Sequence, residues 1–450
     1  MDTKTPLRGE AGGSRRGSSP RVLPELRKQL VHRRIDTSNV LELLPLTARV
    51  DSGELTLGGV RAAALADEYG TPVVVYCEET IRAQARAYRE AAPDALVVYG
   101  TKAFANVGLL RVLADEGVGA DVSTLGELAF AQAAGIGGDR LVFHGNNKNE
   151  AELRAAAEAG AIVVLDELGE AERAAAAGVR RVLVRLTPGV DAATHQSIQT
   201  AHAGSKFGLP FDAAADVIKS SALEVIGVHV HIGSQLARTD ESVLAVERVV
   251  EFCEHMRDEH GWEPQLIDVG GGLAVRHNHN ERPPSIAEFV EPLALTVHAR
   301  WPSARLVLEP GRSLVGRAGV TLYRVGATKE SGGVSWVAID GGMSDNPRPQ
   351  LYGARYEALL ANRAGELADG VFRIAGKHCE SGDVLIDAAE LPHPKRGDVL
   401  AVPATGAYTL AMGSTYNGVP RPAVILVRDG AARVIRRRES TDDLLRYEEA

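Results

Sequence analysis

The chain has 450 residues, 45% hydrophobic and 24% charged, proportions of a globular protein with a large buried core and roughly two or three domains. Its formal net charge of −9 argues against broad binding of nucleic acid or of an anionic membrane surface. Three cysteines, Cys77, Cys253 and Cys379, are too few for a disulfide framework and form no CxxC zinc signature, which points to a reducing, cytoplasmic setting.

Residues 2–20, DTKTPLRGEAGGSRRGSSP, are rich in Gly, Ser, Arg and Pro, and a disordered extension is expected over residues 1–40. An organellar transit peptide is the alternative, although Asp2 and Glu10 interrupt the basic character. No stretch has the apolar core of a secretory signal, and no apolar run reaches the roughly 20 residues that span a membrane. Residues 41–70 are expected to join a β domain, with SGELTLGGV (52–60) adding a strand to it.

From about residue 95, short β-branched runs alternate with Ala/Glu/Arg-rich segments of helical spacing. The runs are ALVVYGTK (95–102), GADVS (119–123), RLVFHG (140–145), IVVLDE (162–167), VLVRLT (182–187), EVIGVHVHIGS (224–234), QLIDVGGG (265–272) and RLVLEPG (305–311). Helical candidates such as GELAFAQAAG (126–135) and NEAELRAAAEAG (149–160) lie between them. The pattern predicts an α/β chain with a (β/α)8 TIM-type barrel over residues 71–312; a doubly wound open sheet is the competing architecture. After Gly311 strands follow one another without regular helices, which predicts a C-terminal antiparallel β domain over 313–450.

Barrel catalytic groups sit at the C-terminal ends of strands. Those ends carry Lys102, Ser123, His144, Arg185, His231 with Ser234, the triplet Gly270-Gly271-Gly272, and Glu309 three residues before Arg312. Lys102 is either a lysine snorkelling at a strand end or a partly desolvated amine of lowered pKa, suited to Schiff-base chemistry. The glycine triplet is either a tight turn or a backbone cradle for phosphate, and it lacks both Walker and GxGxxG spacing. His229 and His231 share one face of a strand. They are satisfied polar core groups or part of a metal site whose third ligand is not evident; no metal is expected. EPGR (309–312) is a surface ion pair or a carboxylate and guanidinium aimed at a ligand. Together the groups meet the needs of pyridoxal 5'-phosphate: a lysine, a phosphate cradle, a flat side chain over the ring and an acid for the ring nitrogen.

Ten ordered blocks strengthen this reading: YGTKAFAN (99–106), ADVSTLGEL (120–128), HGNNK (144–148), THQSIQTAHAGSKFG (194–208), HVHIGSQ (229–235), DVGGGL (268–273), EPGRSLVGRAG (309–319), DGGMSDNPRPQLY (340–352), KHCESGD (377–383), and TGAY (405–408) with YN (416–417). With them the chain resembles the diaminopimelate decarboxylase family, one of the barrel-type (fold type III) pyridoxal-phosphate enzymes, from about residue 45 to the C-terminus. The resemblance implies that Lys102 joins covalently to the cofactor, that His231 stacks on its ring and that Glu309 faces its nitrogen. It implies that Ser234, Gly270, Gly271 and Gly272 hold the phosphate, with Arg312 and Tyr408 near the cofactor. Arg312, Arg348, Tyr352 and Tyr408 would line the substrate, with the arginines and Tyr352 on its carboxylates. Glu380 would read the distal amino group, and Cys379 would handle the proton at Cα. It further implies a homodimer in which Cys379 and Glu380 reach into the partner's barrel.

Three blocks depart from the family pattern: Thr101 stands where Ala is common, GGGLAV replaces GGGLGI, and GSTYNGVPRP differs near YN. The expected reaction is decarboxylation of meso-diaminopimelate to L-lysine and CO2. The alternatives are a related decarboxylase of another amino acid or of a carrier-tethered aminoacyl group, a racemase, and a non-catalytic homologue. Each cysteine precedes a glutamate, so that dipeptide carries no signal; Cys77 and Cys253 are expected to be packed thiols.

Overall fold

The computed structural model describes residues 38–189 and 205–449. The expected N-terminal extension lies almost wholly outside the described residues, as does most of the block 194–208.

Eight parallel strands close into a barrel in chain order: β5 (Leu96–Gly100), β6 (Gly119–Val122), β7 (Leu141–Phe143), β8 (Ile162–Leu165), β9 (Arg181–Arg185), β10 (Glu224–His229), β11 (Leu266–Asp268) and β12 (Arg305–Leu308), the last pairing with β5. Seven lie within one of the eight apolar runs, and β9 begins one residue before its run, at Arg181. Helices cover the barrel, among them Glu78–Ala91, Val107–Asp115, Leu125–Ala133, Glu150–Glu158 and Asp240–His260. Their starts are set locally. Asn106, Thr124, Asn149 and Ser285 each accept from the backbone N–H three residues on, and Asn149/Glu152 and Ser285/Glu288 complete reciprocal capping boxes.

Alternation along the strands decides what the barrel holds. Leu96, Val98, Val142, Ile162, Val164, Leu183, Ile226 and Val307 form one small buried cluster. Their neighbours Val97, Tyr99, Ala120, Val122, Leu141, Phe143, Val182, Val184 and Val228 pack in the larger core with the helices. Side chains alternate faces with period 2, so Val142, Val164, Leu183, Leu266 and Val307 are followed, one step nearer the strand ends, by His144, Asp166, Arg185, Asp268 and Glu309, while Asp121 and His229 follow Gly119 and Gly227. The lower interior is thus plugged with aliphatic side chains and the upper layer is ionisable.

The second sheet has nine strands, with main order β17-β16-β14-β13-β4-β19-β20. They are β4 (Val73–Cys77), β13 (Gly319–Ser331), β14 (Val334–Ile339), β15 (Leu359–Leu360), β16 (Gly370–Ala375), β17 (Val384–Leu391), β18 (Val399–Val402), β19 (Ala423–Arg428) and β20 (Ala431–Arg436). It is mixed: β14 pairs parallel with β16, and β4 pairs parallel with β19. The N-terminal strand in this sheet is β4, which lies inside the stretch assigned above to the barrel. Val73, Val75 and Cys77 face one apolar cluster, Val74 and Tyr76 the barrel-side core, so VVVYC is buried on both faces and reads as a continuous apolar run. Residues 52–60 fall within a separate three-stranded sheet of β1 (Arg49–Asp51), β2 (Glu54–Leu57) and β3 (Val60–Arg61), whose Leu55 and Leu57 pack against β4 and β19.

Candidate active site

A cavity of about 750 Å³ opens at the C-terminal end of the barrel, within the range of small-molecule sites. Lys102, His144, Arg185, His229, His231, Ser234, Glu309, Arg312, Arg348, Tyr352 and Tyr408 line it, and Gly272 lines an adjoining recess with Lys102, His231 and Ser234. Most of the expected residues therefore meet in one place. Cys379 and Glu380 do not: both are exposed and neither lines this chain's cavity.

Lys102 follows β5 in a short 3-10 turn, and its side chain is 53% exposed toward the cavity. Its Nζ lies 3.4 Å from Asp121 Oδ2. Asp121 holds the ammonium above its ordinary pKa against the opposing effect of burial. The direction is opposite to that of a desolvated amine of lowered pKa, one of the two readings of Lys102, because β5/β6 register places Asp121 beside Gly100 at the same strand end. Asp121 Oδ1 is buried without a hydrogen-bond partner.

Glu309 is buried and engaged on both oxygens. Oε1 lies 2.5 Å from His144 Nε2 and Oε2 lies 3.3 Å from His229 Nε2. Burial works to raise its pKa, but the two histidines outweigh it and hold the carboxyl well below the usual range. Asp268 stands beside it, with one oxygen accepting from Gly270 N–H at 2.8 Å and the other buried without a partner. Burial and then the nearby Glu309 push the Asp268 carboxyl well up, the response of a buried carboxyl beside a second one. His144, His229, Asp268 and Glu309 together form a buried donor set of metal-ligand type, which supplies the partners that His229 lacked in sequence.

The glycine turn does more than leave room. A Cβ would lie 2.7 Å from Val230 O at Gly270, 2.2 Å from Glu309 O at Gly271 and 2.4 Å from Gly233 O at Gly272. Gly270 and Gly272 also hold φ of +68° and +111°, which favour glycine. Gly271 N–H donates to His231 Nδ1 at 3.3 Å, so the turn orients the imidazole. Burial, then the charges of Lys102 and Arg185, keep His231 well below its ordinary pKa, which leaves it a neutral flat ring.

Two buried arginines complete the mouth. Arg312 is 7% exposed, lies 4.5 Å over the Tyr408 ring, and contacts Ser234 Oγ at 3.5 Å, while its Nε and one terminal nitrogen have no partner. Burial, then Arg348, lowers its pKa to about 10. Arg348 donates from Nε to Tyr356 Oη at 3.0 Å. Neither arginine forms an ion pair among the described residues, an unusual state for buried guanidinium groups. Tyr408 is held at φ +57°, its N–H on Ala103 O at 2.8 Å; such strain in a non-glycine residue persists where surrounding contacts fix it.

The Cys379 loop is itself ordered. Asp383 accepts from Met343 N–H at 2.8 Å and His378 N–H at 3.0 Å, and pairs with His378 Nδ1 at 2.6 Å. Cys379 N–H donates to Asn417 Oδ1 at 2.8 Å. The blocks DGGMSD, KHCESGD and YN thus converge, presenting Cys379 and Glu380 outward. Sequence reasoning placed His144 and Arg185 at strand ends without a specific role, left His229 as a core or metal group, and did not single out Asp121 or Asp268; for Asp268 the signal was the polar residue one alternation beyond Leu266. His277 and Glu281, in a loop lining the cavity, carried no signal.

The donor set fits pyridoxal phosphate: a reachable amine, a turn that excludes side chains, a neutral ring, a buried carboxylate and unpaired guanidinium nitrogens. Fold and site together define a barrel-type pyridoxal-dependent decarboxylase. The model of the "pyridoxal-dependent decarboxylase, pyridoxal binding domain" matches residues 78–316. The chain is 44% identical over 421 residues to the diaminopimelate decarboxylase of Actinosynnema pretiosum subsp. auranticum, covering 90% of this chain and 95% of the relative, and 42% identical to that of Bacillus subtilis, covering 88% and 95%. The crystal structure of diaminopimelate decarboxylase from M. jannaschii in complex with L-lysine superposes with a TM-score of 0.84 at 32% identity, covering 90% of this chain and 98% of that one. The corresponding Helicobacter pylori enzyme with L-lysine gives 0.80 at 30%, covering 85% and 98%. The chain belongs to the diaminopimelate decarboxylase family.

Proposed function

We infer that the protein decarboxylates meso-diaminopimelate to L-lysine and CO2 with pyridoxal 5'-phosphate. The observation that carries this reading is the pair of buried arginines, Arg312 and Arg348, which line the same cavity as the amine of Lys102 and form no ion pair among the described residues. A dicarboxylate diamine is the class of substrate such a mouth suits.

Lys102 would hold the cofactor covalently, with Ser234 and the backbone of Gly270–Gly272 around the phosphate and His231 flat against the ring. When bound, the cofactor supplies an electron sink for the pair left by the departing carboxylate. Glu309 keeps a negative charge at the barrel floor, held there by His144 and His229 before any ligand arrives, which is preorganised electrostatic stabilisation. Arg312, Arg348 and Tyr352 would fix the substrate's carboxylates, and Tyr408 would close over Arg312. Asp121, 3.4 Å from Lys102 Nζ, would hold the charge of that amine whenever it is not joined to the cofactor.

The proton delivered to Cα is assigned to Cys379 Sγ of a second copy. This thiol is exposed on a fixed loop, outside its own chain's cavity, which supports a homodimer with shared sites. The carboxylate of Glu380 would enter with it. The absence of a membrane-length apolar helix among the described residues is in keeping with a cytoplasmic enzyme.

Two experiments test this. CO2 release is measured from meso-diaminopimelate, ornithine, arginine and carboxynorspermidine; preference for any of the last three contradicts the substrate assignment. Inactive Lys102→Ala and Cys379→Ala subunits are refolded together. Shared sites restore about one quarter of wild-type activity, since about half the dimers are mixed and each has one intact site; no restoration contradicts sharing.

A further inference from the structure

Charge across the cavity is lopsided. Its described lining residues include Lys102, Arg185, Lys206, Arg312, Arg348 and Arg355, against only two carboxylates, Glu281 and Glu309. Glu309 is committed to His144 and His229 on the barrel floor. A substrate whose far end is an amino acid brings an ammonium as well as a carboxylate, and the ammonium needs an anion. Among the described lining residues of this chain only Glu281 remains.

Glu281 is placed for that task. It lies in the loop after the glycine turn, together with His277 and Asn278, which also line the cavity. Oε2 accepts from His277 N–H at 2.7 Å and lies 3.5 Å from His277 Nδ1; Oε1 accepts from Asn278 Nδ2 at 2.9 Å. A carboxylate has about four acceptor positions, so these bonds fix the group and leave it able to accept from an ammonium. The side chain is 38% exposed. Burial works to raise its pKa, and its bonds to His277 outweigh that and keep it ionised. His277 is itself buried, packs edge-on against Tyr356, and through that ring adjoins the Arg348 side chain. The anion and the carboxylate-binding arginine are thus carried on linked supports.

We propose that Glu281 is a specificity-determining residue that binds the distal ammonium of the substrate from within the same subunit, in the cavity that Arg312 and Arg348 also line. It rests on the diaminopimelate reading and adds a cis carboxylate to the Glu380 assigned to the partner. An ammonium has three N–H donors, enough for both.

The test uses ligands that differ only in the distal ammonium. L-lysine and 6-aminohexanoate, which lacks the α-amino group of lysine, are titrated calorimetrically into wild-type holoenzyme and into Glu281→Gln, and KM and kcat for meso-diaminopimelate are measured alongside. The amide retains an acceptor for the loop, and the ratio of the two affinities cancels general loop damage. Wild type favours L-lysine, and Glu281→Gln reduces that preference by roughly 10-fold or more, the range for one charge-assisted hydrogen bond. KM for diaminopimelate rises by a similar factor, with a smaller change in kcat. A preference ratio unchanged in Glu281→Gln, or no preference in wild type, overturns the proposal. Failure of wild type to release CO2 from diaminopimelate is a separate result that refutes the functional reading itself.

Discussion

Substituting Gly271 with alanine probes the link between the barrel floor and the cofactor turn. The added Cβ would lie 2.2 Å from Glu309 O, while ordinary contact begins near 3.4 Å, so something must move by about 1.2 Å. The obstacle is backbone, and it is tied twice: Glu309 N–H donates to Gly270 O at 2.8 Å, and the Glu309 side chain is held by His144 and His229. Overpacking costs about 1–3 kcal/mol and the strained Glu309–Gly270 bond about 1 more, giving ~2–4 kcal/mol. Urea unfolding of the cofactor-free protein reads this loss. Absorbance titration with pyridoxal phosphate reads the accompanying fall in affinity as the turn lifts. Gly137→Ala is the control: its backbone is extended, with φ −161°, and no atom lies within 4 Å of the added carbon, so a change within about 0.5 kcal/mol is expected. If Gly271→Ala matches that control in both stability and cofactor affinity, the close approach of turn and strand end is refuted.

Other outcomes follow from the same structure. Borohydride treatment of the loaded protein should fix one cofactor per chain through denaturation in wild type and none in Lys102→Ala; label retained in the variant places the attachment elsewhere. Cys379→Ala should keep the cofactor spectrum and the unfolding midpoint, because the side chain is exposed, while turnover falls by at least about tenfold, in line with loss of a positioned proton donor. Full activity would remove the thiol from the mechanism. Asp345 is buried, and accepts from Tyr323 Oη and from Gly342 N–H at 2.8 Å. Burial raises its pKa to about 7. Its folded pKa exceeds its unfolded one, so the stability it contributes is complete below about pH 4 and is lost as pH rises to about 7, at up to ~1.4 kcal/mol per unit. Asp345→Asn should flatten the stability profile in that window; an unchanged slope contradicts the assignment.

The barrel was legible because each strand is a short β-branched run whose partners follow in chain order. The strand Val73–Cys77 was not placed, since a run buried on both faces does not say which sheet it enters, and its partners β13 and β19 lie more than two hundred residues away. The parallel β14/β16 pair escaped because strands that follow one another without regular helices read as antiparallel neighbours. Within the site, residues at strand ends were visible as types but not as neighbours. Lys102 was found, yet its two readings stayed open because Asp121 acts across the β5/β6 register, 19 residues on. Glu309 was found, while the histidines that engage it come from β7 and β10. Glu281 sits in a polar loop with neither periodicity nor motif, so only the shared cavity reveals it. The residues of the Cys379 loop were read as a block, and the fold adds that the block faces away from its own barrel.

The most direct test of the account is formation of L-lysine and CO2 from meso-diaminopimelate by the purified protein, with and without added pyridoxal phosphate and beside Lys102→Ala. The expected result is equal amounts of the two products, dependence on the cofactor, and loss of both in the variant. Consumption of diaminopimelate without CO2, or equal product formation by Lys102→Ala, would contradict it.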